Sequence, residues 1–128
     1  MFTFRNVVLF DAATCAAMGL ALVLAAAPLA SWTLIPEALL FYAGLALLPT
    51  AAFMAAVARG AVRKTIGAAA VIGGNALWVV ASVALMVGDL IAPNGLGLAF
   101  IGVQAAAVAV LAALEAYALR HAAVPAVA

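Results

Sequence analysis

The hydrophobic positions of this chain form four long stretches, which short groups of polar, proline and glycine residues separate. The stretches cover residues 7–29, 37–58, 66–91 and 96–119. A helix that crosses the hydrocarbon of a bilayer needs about 20 consecutive, mainly apolar residues. Each stretch reaches that length, so the pattern predicts four transmembrane helices in a single domain covering residues 1–128.

The breaks between the stretches contain residue types that end or interrupt helices. In order, they hold Pro28, Ser31, Trp32 and Pro36, then Arg59, Gly60, Arg63 and Lys64, then Pro93, Asn94 and Gly95. Because these connections are short, consecutive helices are expected to pack as neighbours that run in opposite directions. The predicted fold class is an all-α membrane protein, an antiparallel bundle of four transmembrane helices.

The composition supports a lipid environment and excludes several kinds of site. The chain is 72% hydrophobic and 7% charged, whereas soluble domains are about half apolar and about a quarter charged. A net charge of +1 provides no basic cluster for nucleic acid. The single cysteine, Cys15, and the single histidine, His121, exclude an internal disulfide and an ordinary zinc site. We predict no metal and no cofactor.

The basic residues predict the orientation of the bundle. They stand before the first stretch, between the second and third, and after the fourth: Arg5; Arg59, Arg63 and Lys64; Arg120. With four spans, all three places fall on one side of the bilayer, and the other side carries Glu37 and Asp89. The positive-inside rule then predicts that both termini are cytoplasmic.

Two acidic residues, Asp11 and Glu115, fall close to the basic side of the bilayer when depth is counted from the ends of the stretches. We therefore expect interfacial ion pairs between these carboxylates and the bases Arg59, Arg63, Lys64 and Arg120. No ionisable side chain is then expected near the bilayer centre. A proton-coupled carrier normally needs such a group, so this function is not expected.

The deep polar residues are predicted to be neutral and to meet in one cluster. Asn75 and Gln104 fall at similar depths, and Pro49 at that level is expected to interrupt its helix and free the carbonyl of Leu45. Unpaired polar groups in hydrocarbon are costly and seek one another. Such a cluster can serve helix packing, or it can line a ligand cavity or a narrow path for a neutral solute. Its further candidate members are Ser82, Thr50 and Thr14.

Helical spacing also predicts which faces point inward. Small residues recur every seven positions in the third stretch, at Gly67, Gly74, Ala81 and Gly88, which predicts that this helix is central and the most buried. Two further faces follow helical spacing and are expected to pack inward: Asp11, Thr14, Cys15 and Met18 in the first stretch, and Gln104, Val108, Leu111 and Glu115 in the fourth.

Trp78 is the one aromatic residue of the third stretch that lies deep in the predicted bilayer. Its indole N–H needs a hydrogen-bond partner there. Packing against another helix is one interpretation. The other is stacking on an apolar ligand such as a quinone, a carotenoid or a sterol-like molecule, which makes Trp78 the candidate cofactor-binding residue.

Most of the chain resembles a known group of proteins. The segments LLPTAAFMAAVA, NALWVVASVALMV and GLAFIGVQAAAVAVLAALEAYALR are similar to those of short, four-helix bacterial inner-membrane proteins whose function is uncharacterised. The matching positions include Asn75, Trp78, Gln104 and Glu115. The resemblance implies four helices and a bacterial inner membrane, and it implies no activity.

Three functions remain open at this point. The first is a non-catalytic membrane module, either a homo-oligomer or an accessory subunit of a larger membrane complex. The second is a small channel or facilitator for a neutral or weakly polar solute. The third is a binder of an apolar cofactor or lipid. No combination of acid, base and nucleophile is predicted within the membrane, so we do not expect an enzyme.

Overall fold

The structure, a computed structural model, describes residues 3–123. This part of the chain contains five α-helices and no β-strand: α1 (Phe4–Leu24), α2 (Ala26–Thr33), α3 (Glu37–Ala58), α4 (Lys64–Val87) and α5 (Gly95–Ala123). Four of them, α1, α3, α4 and α5, are long and apolar enough to cross a membrane. The all-α, multi-pass membrane architecture predicted from the hydrophobic pattern is therefore confirmed.

The first predicted span is divided into two helices, whereas the second is not. Proline lacks an N–H and crowds the carbonyl four residues before it, and α1 ends at Leu24, four residues before Pro28. In α2, Pro28 occupies the first turn, where its N–H is not needed. Helix α3, by contrast, is continuous through Pro49. The sequence predicted a break at that proline, and the break does not occur.

A left-handed backbone conformation and the hydrogen bonds of one asparagine fix two of the connections between helices. Gly60 follows α3 with φ of 83°, the left-handed conformation that commonly terminates a helix. Before α5, the side chain of Asn94 accepts a hydrogen bond from the N–H of Gly97 at 2.8 Å. The same side chain donates to the Trp32 carbonyl at 2.9 Å, and the Asn94 N–H donates to the Thr33 carbonyl at 3.0 Å. Asn94 thus both caps α5 and fixes its start against the end of α2.

Two hydrophobic clusters lie at opposite ends of the long helices. One joins the start of α1, the end of α3, the start of α4 and the end of α5 through Phe4, Val8, Ala12, Met54, Val57, Ala68, Val71 and Ala118. The other joins the end of α1, α2, the start of α3 and the start of α5 through Leu22, Ala26, Ile35, Leu40, Leu47 and Ile101. Between these clusters the packing is uneven, because α1 packs mainly on α3 and α4 mainly on α5.

Helices α1 and α3 approach each other closely at Gly19 and Gly44. A Cβ added to Gly44 would lie 2.8 Å from the Gly19 carbonyl oxygen and 2.8 Å from the Cβ of Leu22. The absence of side chains at both positions lets the two backbones touch, as small residues do between helices in lipid.

The small-residue stripe of α4 does not have the role that its spacing predicted. A Cβ on Gly74 would meet nothing within 4 Å, and α4 is the least buried of the four long helices. Only Gly67 of this stripe approaches another helix closely, since its added Cβ would lie 2.8 Å from a methyl group of Val57. A stripe of small residues permits close packing but does not require it, and here the close contact belongs to α1 and α3.

This contact predicts the effect of adding one methyl group. We expect Gly44→Ala to destabilise the protein by about 1–3 kcal/mol, because rigid backbone atoms oppose the new Cβ. Gly73→Ala is the matched control, since nothing lies within 4 Å of its added Cβ, and it should be neutral or stabilising by up to about 1 kcal/mol. Reversible unfolding in mixed micelles measures both, and equal stability of the two variants would contradict the close contact.

Candidate functional site

The most polar part of the interior joins three helices through the side chain of Asn75. The Nδ2 atom of Asn75 on α4 donates one hydrogen bond to Oδ2 of Asp11 on α1 at 2.7 Å and another to Oε1 of Glu115 on α5 at 2.8 Å. Asp11 is 1% exposed, Glu115 0% and Asn75 6%. We call these three residues the acid–amide trio. In this trio, one side-chain amide group donates a hydrogen bond to each of two carboxyl groups.

The carboxyl groups of the trio have no basic partner within the described residues. The predicted ion pairs of Asp11 and Glu115 with Arg59, Arg63, Lys64 or Arg120 are not formed. The Nζ atom of Lys64 instead lies over the ring of Phe4, 5.6 Å from the ring centre. Asp11 and Glu115 therefore pair with a neutral amide inside the bundle, which corrects the expectation of an interfacial ion-pair network.

The orientation of the side chains explains this correction. Depth was counted along the helix axis from residues 7 and 119, and such a count does not give the direction in which a side chain points. Asp11 and Glu115 both point towards the interior, where Asn75 donates to each of them.

The geometry also limits the charge that the trio can carry. Because both acceptor oxygens lie within 2.8 Å of the same nitrogen, they are at most about 5.5 Å apart. Two full negative charges at that distance repel by about 3 kcal/mol at an effective dielectric constant of roughly 20. One proton on the pair removes this repulsion, as in other sites where two carboxyl groups lie together.

The two carboxyl groups differ in their surroundings. Besides the amide of Asn75, Asp11 accepts a hydrogen bond from the thiol of Cys15, with Sγ 3.7 Å from Oδ1. Glu115 is fully enclosed, and its Oε2 atom has no hydrogen-bond partner. Asp11 thus accepts from two donors and Glu115 from one, which leaves Glu115 as the carboxyl group with space for a proton on Oε2.

A second polar group contains the remaining deep residues. The indole N–H of Trp78 donates to Oε1 of Gln104 at 2.7 Å, and Nε2 of Gln104 donates to the Ser82 hydroxyl at 3.0 Å and to the Ile101 carbonyl at 2.9 Å. The Ser82 hydroxyl in turn donates to the Trp78 carbonyl at 2.7 Å. The structure therefore divides the expected Asn75–Gln104 cluster into two groups, because each amide finds partners at its own level.

Thr14 and Thr50 do not extend either group. The hydroxyl of Thr14 donates to the Asp11 carbonyl at 2.8 Å, and that of Thr50 donates to the Ala46 carbonyl at 2.7 Å. Both hydroxyls are thereby used by their own helices. The Leu45 carbonyl, which the sequence analysis added to the cluster, lies on a continuous α3 and not at a break.

A cavity of about 600 Å³ lies between the α1–α3 pair and the α4–α5 pair. Its walls are mainly apolar, and they include Asp11 and Asn75 of the trio as well as Trp78 and Gln104. Thr50, Gly74 and Val103 also line it and are exposed at the middle of their helices. The cavity therefore opens sideways, at the level of the apolar spans.

A second cavity of about 200 Å³ lies on the other side of Trp78, towards the end of α1 and the start of α3. Four residues line both cavities: Met18, Trp78, Phe100 and Gln104. They form a wall in which the hydrogen bond between Trp78 and Gln104 is the polar contact. The indole is thus held by an amide and presents its ring to apolar space on both sides.

The pairing of Asp11 with Glu115 was not predicted, although the sequence contained a signal for it. Asp11 and Cys15 share one predicted inward face, and Gln104 and Glu115 share another. Helical spacing directed both faces inward, whereas the depth count assigned the two acids on them to interfacial ion pairs. The structure agrees with the helical spacing.

Comparisons of the chain with protein-family models, with curated proteins and with solved structures gave no match.

The trio predicts the effect of removing its amide. Asn75→Leu leaves two buried carboxyl groups without their donor, so we expect a destabilisation of about 1–3 kcal/mol. Ala76→Leu, at the exposed neighbouring position of α4, should change stability by less than about 0.5 kcal/mol. Unfolding in mixed micelles is again the measurement. An Asn75→Leu protein as stable as the Ala76→Leu control would show that the amide does not hold the carboxyl groups.

Proposed function

We propose that this protein is a non-catalytic membrane protein that binds a small, mainly apolar molecule within the bilayer. The observation that carries the proposal is the cavity of about 600 Å³ between the two helix pairs. Small-molecule sites have about this size, with apolar walls and a few fixed polar groups. Of the three functions that the sequence left open, this geometry favours the binder of an apolar cofactor or lipid.

The polar groups of the cavity support binding of one oriented molecule. At one level the cavity has Asp11 and Asn75, and at another it has the Trp78–Gln104 pair. The remaining wall offers apolar and aromatic contacts, including Phe53 and Phe100. A molecule with an apolar body and one polar end would therefore bind in a single direction, with its polar end at the trio and its body against Trp78.

The position of the opening supports entry from the membrane. Thr50, Gly74 and Val103 are exposed at mid-helix positions, where lipid tails would surround the protein. A ligand that dissolves in the bilayer would reach the cavity without crossing water.

The same walls argue against the channel for a neutral solute. A polar solute needs hydrogen-bond partners along its path, but the deep side chains that were expected to form one path belong to two separate groups. The hydroxyls of Thr14 and Thr50 are bound to their own helices. Association with further copies or with other membrane proteins stays a prediction from the composition.

We further propose that the four spans alternate in direction, with both termini on the cytoplasmic side of a bacterial inner membrane. The hydrophobic cluster that joins the starts of α1 and α4 to the ends of α3 and α5 supports the alternation. The bases Arg5, Arg59, Arg63, Lys64 and Arg120 lie at or beside those four helix ends. The positive-inside rule places that side in the cytoplasm.

The proposal predicts that filling the cavity abolishes binding. The probe is para-bromo-tert-butylbenzene, whose bromine quenches tryptophan fluorescence, in a Trp32→Phe background that leaves Trp78 as the only tryptophan. We expect saturable quenching in lipid nanodiscs, weakened about tenfold or more by Gly74→Phe, since a large side chain there occupies the space of the ligand.

Gly73→Phe is the matched control, because Gly73 is the adjacent glycine, has equally open surroundings and does not line the cavity. It should leave the quenching curve as it is in the parent protein. Quenching that rises linearly without saturation, or that Gly73→Phe and Gly74→Phe reduce equally, would overturn the proposed binding site.

A further inference from the structure

We propose that the cavity prefers a lipophilic cation, a molecule with one positive charge on an apolar or aromatic body, whose charged end is bound at Asp11. This inference rests on the proposed function and names the class of ligand. It is carried by the juxtaposition of an acidic pair without a basic partner and a cavity whose other walls are almost entirely apolar.

The first step concerns the charge of the trio. Asp11 and Glu115 share the amide of Asn75 and are too close to be ionised together, so one of them holds a proton and the pair carries one negative charge. Asp11 accepts from two donors, the amide of Asn75 and the thiol of Cys15. Glu115 accepts from Asn75 alone and has a fully buried oxygen, Oε2, without a partner.

The second step concerns the absence of a compensating charge. Within the described residues, the titratable groups beside Asp11 are Cys15 on its own helix and Glu115 on α5. Helix α4 contributes the neutral Asn75, and α3 contributes Met54, whose sulfur lies 3.9 Å from that of Cys15. A buried negative charge without a positive partner is costly, so a cation bound beside Asp11 would lower that cost.

The third step concerns access. Asp11 lines the cavity, whereas Glu115 does not. Trp78, Phe53 and Phe100 line the same space, and aromatic faces attract cations. A cation that enters from the bilayer is therefore attracted by the carboxyl group of Asp11 and by the aromatic rings. A neutral ligand of the same shape lacks both electrostatic attractions.

A pair of isosteric probes tests the inference. The cation is para-bromophenyl-trimethylammonium, and its neutral isostere is para-bromo-tert-butylbenzene, in which carbon replaces the quaternary nitrogen. Quenching of Trp78 is measured for both in nanodiscs of the Trp32→Phe protein and is referred to the amount of each probe in protein-free nanodiscs. We expect the cation to bind about tenfold tighter or more, as for an interaction with a charged group.

Asp11→Asn keeps the shape of the side chain and removes its charge. We expect the preference for the cation over the neutral probe to fall about tenfold or more in this variant, and to fall less in Glu115→Gln. Asp89→Asn removes an exposed carboxylate outside the cavity and should leave the preference as in the parent protein.

The outcomes separate the inference from the proposed function. Equal binding of both probes by the Trp32→Phe protein overturns the cation preference and keeps the apolar site, and this result needs no substitution in the cavity. Saturable quenching by neither probe overturns both. A preference that survives Asp11→Asn, or that Glu115→Gln reduces more strongly, also overturns the inference, because the charge would then not lie on Asp11.

Discussion

The hydrogen bond from the Asn75 amide to the buried carboxyl group of Asp11 joins the two helix pairs, next to a hydrophobic cluster that contacts both of them. Helix α1 packs closely on α3, and α4 packs on α5, but the two pairs meet less extensively. Asn75 connects α4 to Asp11 on α1 and to Glu115 on α5. In lipid, where apolar surfaces gain little from meeting one another, polar contacts and close backbone packing decide which helices associate.

The same arrangement borders the cavity. The acid–amide trio joins the two helix pairs through the hydrogen bond from Asn75 to Asp11, whereas the Trp78–Gln104–Ser82 group lies within the α4–α5 pair, and the cavity lies beside both groups. The walls of the cavity are mainly apolar, and the carboxyl group that lines it belongs to Asp11. The proposed binding function and the proposed cation preference both rest on this combination of an open apolar space and a buried acidic pair.

Much of the architecture could be predicted from the sequence, because span length and the residues at breaks act locally. The four spans were located in this way, as were Gly60, which follows the end of α3, and Asn94, which caps the start of α5. The effects of the prolines were less predictable. Pro28 divides a helix at its preceding turn, whereas Pro49 lies within a continuous one, since lost hydrogen bonds can be compensated within a packed membrane helix.

The candidate site was predictable in its residues but not in its pairing. Asn75, Gln104, Ser82 and Trp78 were identified from their polarity at depth, yet their partners depend on the rotation of each helix. Asp11 and Glu115 point inward, although the depth count assigned them to the interface, and they are the partners of Asn75. Hydropathy cannot detect this pairing, because it measures the polarity of a segment and not the rotation of its helix.

The protonation of the acidic pair tests this account most directly. Infrared spectroscopy of the protein in lipid bilayers at neutral pH detects the carbonyl band of a protonated carboxyl group separately from ionised carboxylates. The account predicts one such band, which disappears in Glu115→Gln and persists in Glu37→Gln, where an exposed carboxylate is replaced. A parent spectrum that contains ionised carboxylates alone would contradict it.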